Sequence, residues 1–266
     1  MPYYFPGIIK NFSRVNQNLL KKVVGSSFLF KMKTIDVIIP IFNEGEILKK
    51  IIGELNDKVK ANLNFIICYD SDDESGLKFL PNLKNITTVK NKDKGPNEAI
   101  LTGIRHAGSE FILVYMADDI HNIKLINQFI ELSEEYDLII PSRYIDGGKF
   151  EKAQFIKKFI AVLGYILLNK ILRIPYRDCT NAFKFFRRKL LEEINFESKV
   201  GFTYAIELTI KTNYLKKKII EIPSVWRDNE NRKSNFKTLK WLPYYLYWAY
   251  RALIYQLKTY SNYYKF

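Results

Sequence analysis

Short apolar runs alternate with amphipathic stretches over the first half of the chain. The apolar runs have the length of buried β-strands, and the stretches between them repeat apolar residues at helical spacing. The predicted strands lie at Ile35 to Phe42, Asn64 to Tyr69, Ile86 to Val89, Phe111 to the acids at Asp118, and Asp137 to Pro141. The predicted helices run from Asn43 to about Lys60, from Asn97 to Ala107 and from about Ile123 to Glu135. This alternation predicts an α/β fold, with a mainly parallel sheet and helices on both of its faces.

The alternation loosens after Ser142. The remaining predicted elements are a basic loop at Arg143 to Lys152, an amphipathic helix near 153–172, a turn at Asp178 to Asn181, a strand at Phe183 to Phe186, a helix at Tyr204 to Tyr214 and a strand pair at Ile219 to Trp226. No Gly-x-Gly-x-x-Gly motif and no Gly-rich loop ending in Lys-Ser or Lys-Thr follows a predicted strand. This argues against a dinucleotide dehydrogenase and against a P-loop enzyme.

Acidic residues follow three of the predicted strands. The three groups are Asn43-Glu44, Asp70 with Asp72, and Asp118 with Asp119. Because the carboxyl ends of parallel strands share one edge, these carboxylates would repel each other unless a cation or hydrogen-bond donors lie among them. Magnesium binds one or two carboxylates together with phosphate oxygens, so the pattern predicts a nucleoside diphosphate ligand. The alternative is that Asn43-Glu44, Asp118 and Asp178 only begin or cap helices.

The net charge of +14 is concentrated at the two ends of the 266-residue chain. Residues 1–33 carry six basic side chains and residues 231–266 carry seven, without any acid, whereas residues 34–230 carry 29 basic and 28 acidic side chains. A nearly neutral body argues against a nucleic-acid-binding protein, and basic ends predict an anionic partner. The two cysteines, Cys68 and Cys179, are too few for a disulfide framework and indicate a cytoplasmic setting.

The C-terminal segment is aromatic as well as basic. Trp241, Tyr245, Trp248, Ala252 and Tyr255 recur at helical spacing. Aromatic rings together with cations are typical of a helix that lies at a bilayer surface and contacts anionic lipid. The alternative is a C-terminal helix that packs on its own domain.

A membrane-spanning helix is disfavoured. Pro243, Arg251 and Gln256 interrupt the C-terminal run, and the apolar run from Phe159 to Leu168 has only ten residues. We therefore predict a peripheral protein on the cytoplasmic face of a membrane, and leave open whether it has a membrane-protein partner. The predicted segments are a basic N-terminal extension at 1–33, a catalytic domain at 34–236 and an amphipathic membrane-surface helix at 237–266.

A series of short motifs then occurs in one order along residues 35–237. The motifs are IIPIFNE, the acids after the second strand, KGPNEAILTGIRHA, MADD, PSRY, DCTNAFKFF, and GFTYAIEL followed by KIIEIPSVWRD. The series resembles the inverting GT-A glycosyltransferases of family two, particularly the dolichol-phosphate mannose synthase branch. The resemblance implies a Rossmann-like GT-A fold and transfer of a sugar, with inversion, from a nucleotide-diphosphate sugar to a polyprenyl phosphate such as dolichyl or undecaprenyl phosphate.

The resemblance also implies roles for individual residues. The implied nucleotide-binding residues are Pro40, Phe42, Asn43, Glu44, Asp70, Asp72, Lys94, Gly95, Arg227 and Arg232. The implied acceptor-binding residues are Ser142, Arg143, Lys157, Lys158, Asp178, Thr180, Asn181 and Glu207. The implied catalytic residues are Asp118, Asp119 and Arg143. Of these, Asp118 and Asp119 are the implied ligands of Mg²⁺ or Mn²⁺.

The chain departs from the family pattern at the metal motif. Met116 stands where the family has the first acid of its Asp-x-Asp motif. Three alternatives follow: Asp119 supplies the second carboxylate, one acid suffices, or the enzyme is independent of a metal or degenerate. A polyprenyl phosphate is already anionic near neutral pH and needs no general base, whereas a hydroxyl acceptor needs one, for which Asp119 and Asp178 are the candidates. The alternatives are therefore transfer to a saccharide hydroxyl in cell-surface glycan synthesis, or a non-catalytic protein that binds nucleotide sugars at a membrane.

Overall fold

The computed structural model describes residues 32–151, 161–227 and 238–263. The chain divides into two units, Met1–Met32 and Lys33–Phe266, and nearly all of the described residues belong to the second. Several predictions lie outside the described residues: the site residues Lys157, Lys158 and Arg232, residues 1–31 of the basic extension, and the first part of the helix near 153–172.

Seven strands form one sheet. They are β1 Thr34–Pro40, β2 Asn62–Tyr69, β3 Ile86–Lys90, β4 Phe111–Val114, β5 Leu138–Ser142, β7 Lys184–Arg187 and β8 Ile219–Pro223, in the order β3-β2-β1-β4-β7-β5-β8. β7 is antiparallel to its neighbours β4 and β5, and the other pairs are parallel. The predicted mixed, mainly parallel sheet is confirmed.

A second, two-stranded sheet consists of β6 Lys149–Glu151 and β9 Val225–Arg227, which are parallel. The prediction that the two strands at Ile219 to Trp226 form a pair is therefore wrong. The chain forms two strands there, but β8 pairs with β5 and β9 pairs with β6. Ser224, between the two strands, donates its backbone N–H to the carbonyl of Ser142 at 2.9 Å.

Helices cover both faces of the main sheet, as predicted. They are α1 Ile47–Lys58, α2 Pro96–His106, α3 Leu125–Leu132, α4 Tyr204–Tyr214 and α5 Thr238–Tyr263. One apolar cluster joins α1 and α3 to one face, and a second joins α2 and α4 to the other. α2 lies close to the sheet because Gly103 has no side chain; a Cβ there would lie 2.3 Å from Cγ2 of Ile38. Shorter helical turns are Ser75–Phe79, residues 161–165 continuing into the π-helix Ile166–Ile171, and Arg188–Glu192.

The predicted aromatic stripe of α5 packs on the same unit. Trp248 is 2% exposed and Ala252 is equally buried, and both belong to a third apolar cluster with Leu168 and Ile206. The alternative expectation, that the C-terminal helix packs on its own domain, is confirmed for this stripe. Within the part of the chain that the structure describes, no helix has the length and apolar character to cross a membrane.

Candidate active site

The loops that follow β1, β2, β4 and β5 lie at one edge of the sheet. In the parallel register, Ile38 of β1 pairs with Ile66 of β2 and with Val114 of β4. β7 is antiparallel, so its first residue, Lys184, pairs with Val114 at that same edge. The predicted convergence of acidic loops is therefore present, and the segment before β7 joins them.

Asp70 joins the loop after β2 to the loop after β3. Its Oδ1 accepts a hydrogen bond from Nδ2 of Asn91 at 2.8 Å, and its Oδ2 accepts the backbone N–H of Gly95 at 2.9 Å. Gly95 has a φ of 112°, which favours glycine there. The Lys94 side chain is exposed beside it. Asp72 lies nearer the surface and forms an exposed ion pair with Lys90.

The turn after β1 exposes an aromatic ring. Pro40 ends the strand, Asn43 has a φ of 56°, and the Phe42 side chain is 48% exposed. Glu44 accepts the backbone N–H of Phe42 at 3.4 Å, and its own N–H donates to Glu74 at 3.3 Å. The geometry leaves a ring at the edge of the sheet beside the Asp70 loop, which suits stacking on a base.

The two adjacent acids after β4 have different surroundings. Asp118 is exposed and accepts no hydrogen bond from any described residue. Asp119 accepts the backbone N–H groups of His121 and Asn122, both at 3.1 Å, and Nδ2 of Asn122 at 2.7 Å. Burial raises the pKa of the Asp119 carboxyl, and the hydrogen bonds from Asn122 and His121 oppose that rise. Asp119 therefore closes the turn after β4, whereas α3 begins at Leu125 and has no side-chain cap.

Arg143 and Asp178 form an ion pair at the end of β5. The guanidinium donates Nε to Oδ2 at 2.7 Å and Nη2 to Oδ1 at 2.6 Å, and the Arg143 backbone N–H donates to Oδ2 at 2.9 Å. The rings of Tyr144, Phe150 and Trp226 lie 5.2 to 5.6 Å from the guanidinium carbon. Burial disfavours the charged guanidinium, but the carboxylate outweighs it and the pKa of Arg143 is raised.

Two charged residues that the sequence analysis missed support this ion pair. Glu221 of β8 accepts the backbone N–H of Arg177 at 2.9 Å and that of Asp178 at 2.8 Å. Lys184 is fully buried and donates Nζ to the carbonyl oxygen of Asp178 at 3.0 Å. Burial lowers the pKa of Lys184 to about 8. The available signal was a lysine inside an apolar strand, in the run AFKFF.

The neighbouring polar residues hold the backbone around Asp178. Asn181 donates Nδ2 to the carbonyl of Pro141 at 2.8 Å, and its Oδ1 accepts the N–H of Phe183 at 3.1 Å. Thr180 Oγ1 lies 3.5 Å from Nη2 of Arg143. Ser142 is buried, and its Oγ accepts the N–H of Tyr144 at 3.4 Å. These contacts join the loop before β7 to the end of β5.

Two further predicted residues have protein partners. The buried Glu207 carboxylate accepts the backbone N–H groups of Glu197 and Ser198, at 2.7 and 2.8 Å, and pairs with Lys211. Arg227 pairs with Glu151 across the two-stranded sheet. Hydrogen bonds from Lys149 and Arg227 lower the pKa of Glu151 to about 2.

The chain matches a known sequence family over more than half of its length. Residues 36–195 match the family described as Glycosyl transferase family 2. The chain belongs to glycosyl transferase family 2. The family recognised from the motif series, and with it the prediction of a glycosyltransferase, is confirmed at the level of the family.

Two named relatives of this family 2 chain are similar over most of its length. Dolichol-phosphate mannosyltransferase of Pyrococcus furiosus is 28% identical over 213 residues, which are 76% of this chain and 59% of that protein. Undecaprenyl-phosphate mannosyltransferase of Micrococcus luteus is 26% identical over 203 residues, 73% of this chain and 83% of that protein. The chain thus spans less than two thirds of the first of these relatives.

Solved structures share the fold of this family 2 chain. Glucosyl-3-phosphoglycerate synthase from Mycobacterium tuberculosis, in complex with UDP, has a TM-score of 0.60 at 15% identity, over 83% of this chain and 80% of that chain. The same synthase has been solved with Mn²⁺, UDP and phosphoglyceric acid, and with Mg²⁺ and UDP. At this identity the similarity concerns the fold, and the predicted GT-A class is confirmed.

The carboxylates after β4 are the candidate ligands for a divalent metal in this family 2 chain. No three His, Cys, Asp or Glu side chains among the described residues are grouped as metal ligands. Asp119 has both carboxylate oxygens in hydrogen bonds, whereas Asp118 is exposed and has no hydrogen bond or ion pair with the residues that the structure describes. One carboxylate completed by phosphate oxygens is a donor set that Mg²⁺ accepts. The site therefore fits a metal that arrives with a nucleoside diphosphate.

Proposed function

We propose that this chain transfers a sugar from a nucleotide-diphosphate sugar to a polyprenyl phosphate, with inversion at the anomeric carbon. The observation that carries the proposal is the position of Asp118, which is exposed and has no partner among the described residues. It follows β4, between the Asp70 and Gly95 loops on one side and the Arg143–Asp178 pair on the other. The names of the two mannosyltransferase relatives support a polyprenyl-phosphate acceptor.

The donor would bind along the β1, β2 and β3 side of the edge. The proposed nucleotide-binding residues are Pro40, Phe42, Asn43, Glu44, Asp70, Asp72, Lys94 and Gly95. Asp70 would act by holding Gly95, and the exposed Phe42 ring would stack on the base. Arg227, and Arg232 outside the described residues, would neutralise diphosphate charge after Arg227 leaves Glu151.

Asp118 would bind Mg²⁺ or Mn²⁺ together with the diphosphate oxygens. When bound, such an ion stabilises the negative charge of the departing diphosphate. Asp118 itself would orient the diphosphate relative to the acceptor. The UDP complexes of the fold relative with Mn²⁺ and with Mg²⁺ support this use of a divalent metal.

The acceptor would bind at the β5 and β7 side of the edge. Arg143 uses Nε and Nη2 for Asp178, so Nη1 is the nitrogen with capacity for an acceptor phosphate. Lys157 and Lys158 would add charge there, and Ser142, Asp178, Thr180, Asn181 and Glu207 would shape the pocket. The phosphate oxygen is already anionic, so positioning and charge neutralisation suffice without a general base.

A hydroxyl acceptor is less well supported by the geometry. It would need a general base, and the two candidate carboxylates, Asp119 and Asp178, are both occupied by hydrogen bonds. Transfer to a saccharide hydroxyl therefore ranks second. The non-catalytic alternative rests on Met116 in place of an acid.

The outer face of α5 supports a membrane surface as partner. Leu242, Leu246, Tyr250, Leu253 and Leu257 are exposed at helical spacing, opposite the buried Trp248 face. Lys240 and Lys258 are exposed on the same helix, and residues 231–266 contain no acid. An apolar face with cations at its ends suits the surface of an anionic bilayer. The protein would then act at the cytoplasmic face of the membrane, where a polyprenyl phosphate is accessible.

Transfer from labelled donors tests the proposal. The full chain would be incubated with UDP- and GDP-linked hexoses and a polyprenyl phosphate, with and without MnCl₂ or MgCl₂, and the product lipid's anomeric configuration determined by NMR. We expect a metal-dependent, inverted product that the Asp118→Asn variant does not form. Absence of lipid product across the donor panel would reject the polyprenyl-phosphate acceptor, and a soluble saccharide product would favour the second candidate.

A further inference from the structure

Asp119 and Asn122 form a hydrogen-bonded pair inside the turn after β4. Asn122 is 4% exposed and donates Nδ2 to Oδ2 of Asp119 at 2.7 Å. Oδ1 of Asp119 accepts the backbone N–H groups of His121 and Asn122. Because a carboxylate only accepts hydrogen bonds, the NH₂ group of Asn122 must face Asp119. The orientation of the Asn122 amide is therefore determined by its partner.

The same amide bridges this turn to β9. Nδ2 of Asn122 also donates to the carbonyl oxygen of Val225 at 2.8 Å, and Oδ1 accepts the N–H of Val225 at 3.1 Å. Asn122 thus binds both backbone groups of a residue 103 positions away. A side-chain amide has the donor and the acceptor that this arrangement needs.

β9 leads to the acceptor side of the site. Trp226 follows Val225, and its ring lies 5.4 Å from the guanidinium carbon of Arg143. Asp118 precedes Asp119 directly in the turn. The pair therefore connects Asp118 to the strand that covers Arg143, and a shift of one would move the other.

We propose that Asp119 and Asn122 are a positioning pair, which holds Asp118 in register with β9 and the Arg143 pocket, and that Asp119 is not a ligand of the metal. Three hydrogen bonds from Asn122 and the turn orient the Asp119 carboxylate, and a metal on Asp119 would compete with these donors for its oxygens. This proposal rests on the proposed role of Asp118 as the diphosphate contact. Under this proposal Asp118 is the single metal-binding carboxylate of the turn, because Met116 occupies the position of the family's first acid.

An Asn122→Ala variant tests the bridge. Hydrogen exchange of the peptide containing Val225 should become faster, because the N–H of Val225 loses its acceptor. The turnover number should fall about 10- to 100-fold, since displacing a reacting group by about 1 Å has effects of this size. The KM for the donor should change less than the turnover number, because the Asp70 and Phe42 contacts are intact. A purely structural role would lower the unfolding temperature without this split between kcat and KM.

Asn127→Ala is the matched control for this variant. Asn127 makes the same type of bridge, from Nδ2 to the carbonyl of Lys58 and from the N–H of Lys60 to Oδ1, both at 2.8 Å. Those residues lie at the end of α1, away from the carboxyl edge of the sheet. The control should leave kcat and KM unchanged. An unaltered kcat in Asn122→Ala would overturn the proposal.

Asp119→Asn and Asp118→Asn test which acid binds the metal. Calorimetry would measure UDP binding in MnCl₂ and in EDTA. This binding measurement does not require an acceptor. The asparagine at 119 still accepts the N–H groups of the turn, so this variant should keep metal-dependent UDP binding and lose turnover. Asp118→Asn should lose the metal dependence. An equal loss of metal-dependent UDP binding in both variants would overturn the proposal. Failure of the wild type to transfer sugar to a lipid would reject the proposed acceptor, but it would not affect the two binding measurements.

Discussion

Arg143 and Asp178 are charged groups almost completely removed from water. The Arg143 side chain is 10% exposed and that of Asp178 is not exposed at all. Removing two charges from water is costly. Three hydrogen bonds from Arg143 to the Asp178 carboxylate, two from the guanidinium and one from the backbone N–H, offset that cost. Lys184 also donates to the backbone carbonyl of Asp178. The pair is thus a structural element of the proposed acceptor side even without a bound phosphate.

Removing the carboxylate should destabilise the protein strongly. In Asp178→Ala the buried guanidinium loses its counter-charge, so we expect the free energy of unfolding to fall by about 3–5 kcal/mol. Urea unfolding monitored by circular dichroism measures this. Glu135→Ala removes an exposed pair with Lys218, 3.7 Å apart, and should cost under about 1 kcal/mol. Similar losses in the two variants would show that the Arg143 pair contributes no more than a surface contact.

Lys184 should make stability depend on alkaline pH. Burial lowers its pKa to about 8, against 10.5 for the ordinary side chain. The neighbouring Asp178, Cys179 and Glu221 oppose this lowering, and Arg143 adds to it. Between these two pKa values the unfolded chain binds more protons than the folded chain, so the free energy of unfolding rises with pH there. The buried charge of Lys184 thus destabilises the folded chain fully below pH 8, and this destabilisation disappears above pH 10.5.

The variant Lys184→Met isolates this effect. Relative to it, the wild type should gain up to about 1.4 kcal/mol of stability per pH unit as the pH rises from 8 towards 10. Urea unfolding of both proteins at pH 7.5, 9 and 10 measures the difference. A constant difference over this range would contradict a lowered Lys184 pKa.

The two acids after β4 mark a limit of prediction from sequence at this scale. The MADD motif correctly indicated that carboxylates end this strand at the edge of the sheet. It could not tell which carboxylate turns inward, because that is decided by Asn122 and its contact with Val225. The missed Lys184 is similar, since its hydrogen-bond partner, the carbonyl oxygen of Asp178, lies outside its strand.

α5 combines two apolar faces in one helix. The inner face carries Trp248 and Ala252, and Arg251 secures the helix by donating to Glu197 at 3.0 Å. Arg251 is therefore not available to lipid, although it counts among the basic residues of the tail. The outer face carries Leu246, 48% exposed, and Leu257, 59% exposed. Burial of such side chains at a bilayer is favourable, because each Leu contributes about 1.5–3 kcal/mol when fully removed from water.

The outer face should bind anionic vesicles. A Leu246→Ser/Leu253→Ser/Leu257→Ser variant should co-sediment with phosphatidylcholine–phosphatidylglycerol vesicles at least about 10-fold more weakly than the wild type, since each 1.4 kcal/mol is tenfold in partitioning. The inner face is unchanged, so the unfolding temperature should be nearly unaffected. Leu83→Ser, at an exposed leucine outside α5, is the control and should bind as the wild type does. Equal binding of the triple variant would remove α5 as the contact surface.

The elements themselves were largely predictable, and their pairing was not. The helix predicted at Tyr204 to Tyr214 has those bounds, because the turns around it are local signals. The direction of β7 is a tertiary property: the run from Phe183 to Phe186 has the composition of a strand in either orientation. The same holds for β8 and β9, which are adjacent in sequence but join different sheets.

Across the whole molecule, the proposed site is assembled from loops that follow separate strands. The apolar clusters on the two faces of the sheet are formed by strands and helices, and neither includes Asp70 or Asp118. Exposed polar residues at the edge, such as Asp118, can therefore change without loss of the core, whereas the buried Asp178 cannot. This separation explains why the strand pattern predicted the common edge, whereas contacts such as that of Asp70 with Gly95 required the structure.

Nucleotide binding should stabilise the whole unit, because a ligand that binds only the folded chain adds its binding free energy to stability. At 100 times the dissociation constant of UDP or GDP, the gain is about 2.7 kcal/mol, which raises the unfolding temperature. We expect this rise in MnCl₂ and a much smaller one in EDTA, because the metal joins Asp118 to the diphosphate. Asp70→Ala should abolish most of the rise, since it removes the acceptor of the Gly95 N–H, while Asp57→Ala, on the exposed end of α1, should retain it. Differential scanning fluorimetry of the three proteins measures these shifts. A rise of the same size in EDTA would mean that the nucleotide binds without a metal. It would contradict the proposal that a metal joins Asp118 to the diphosphate.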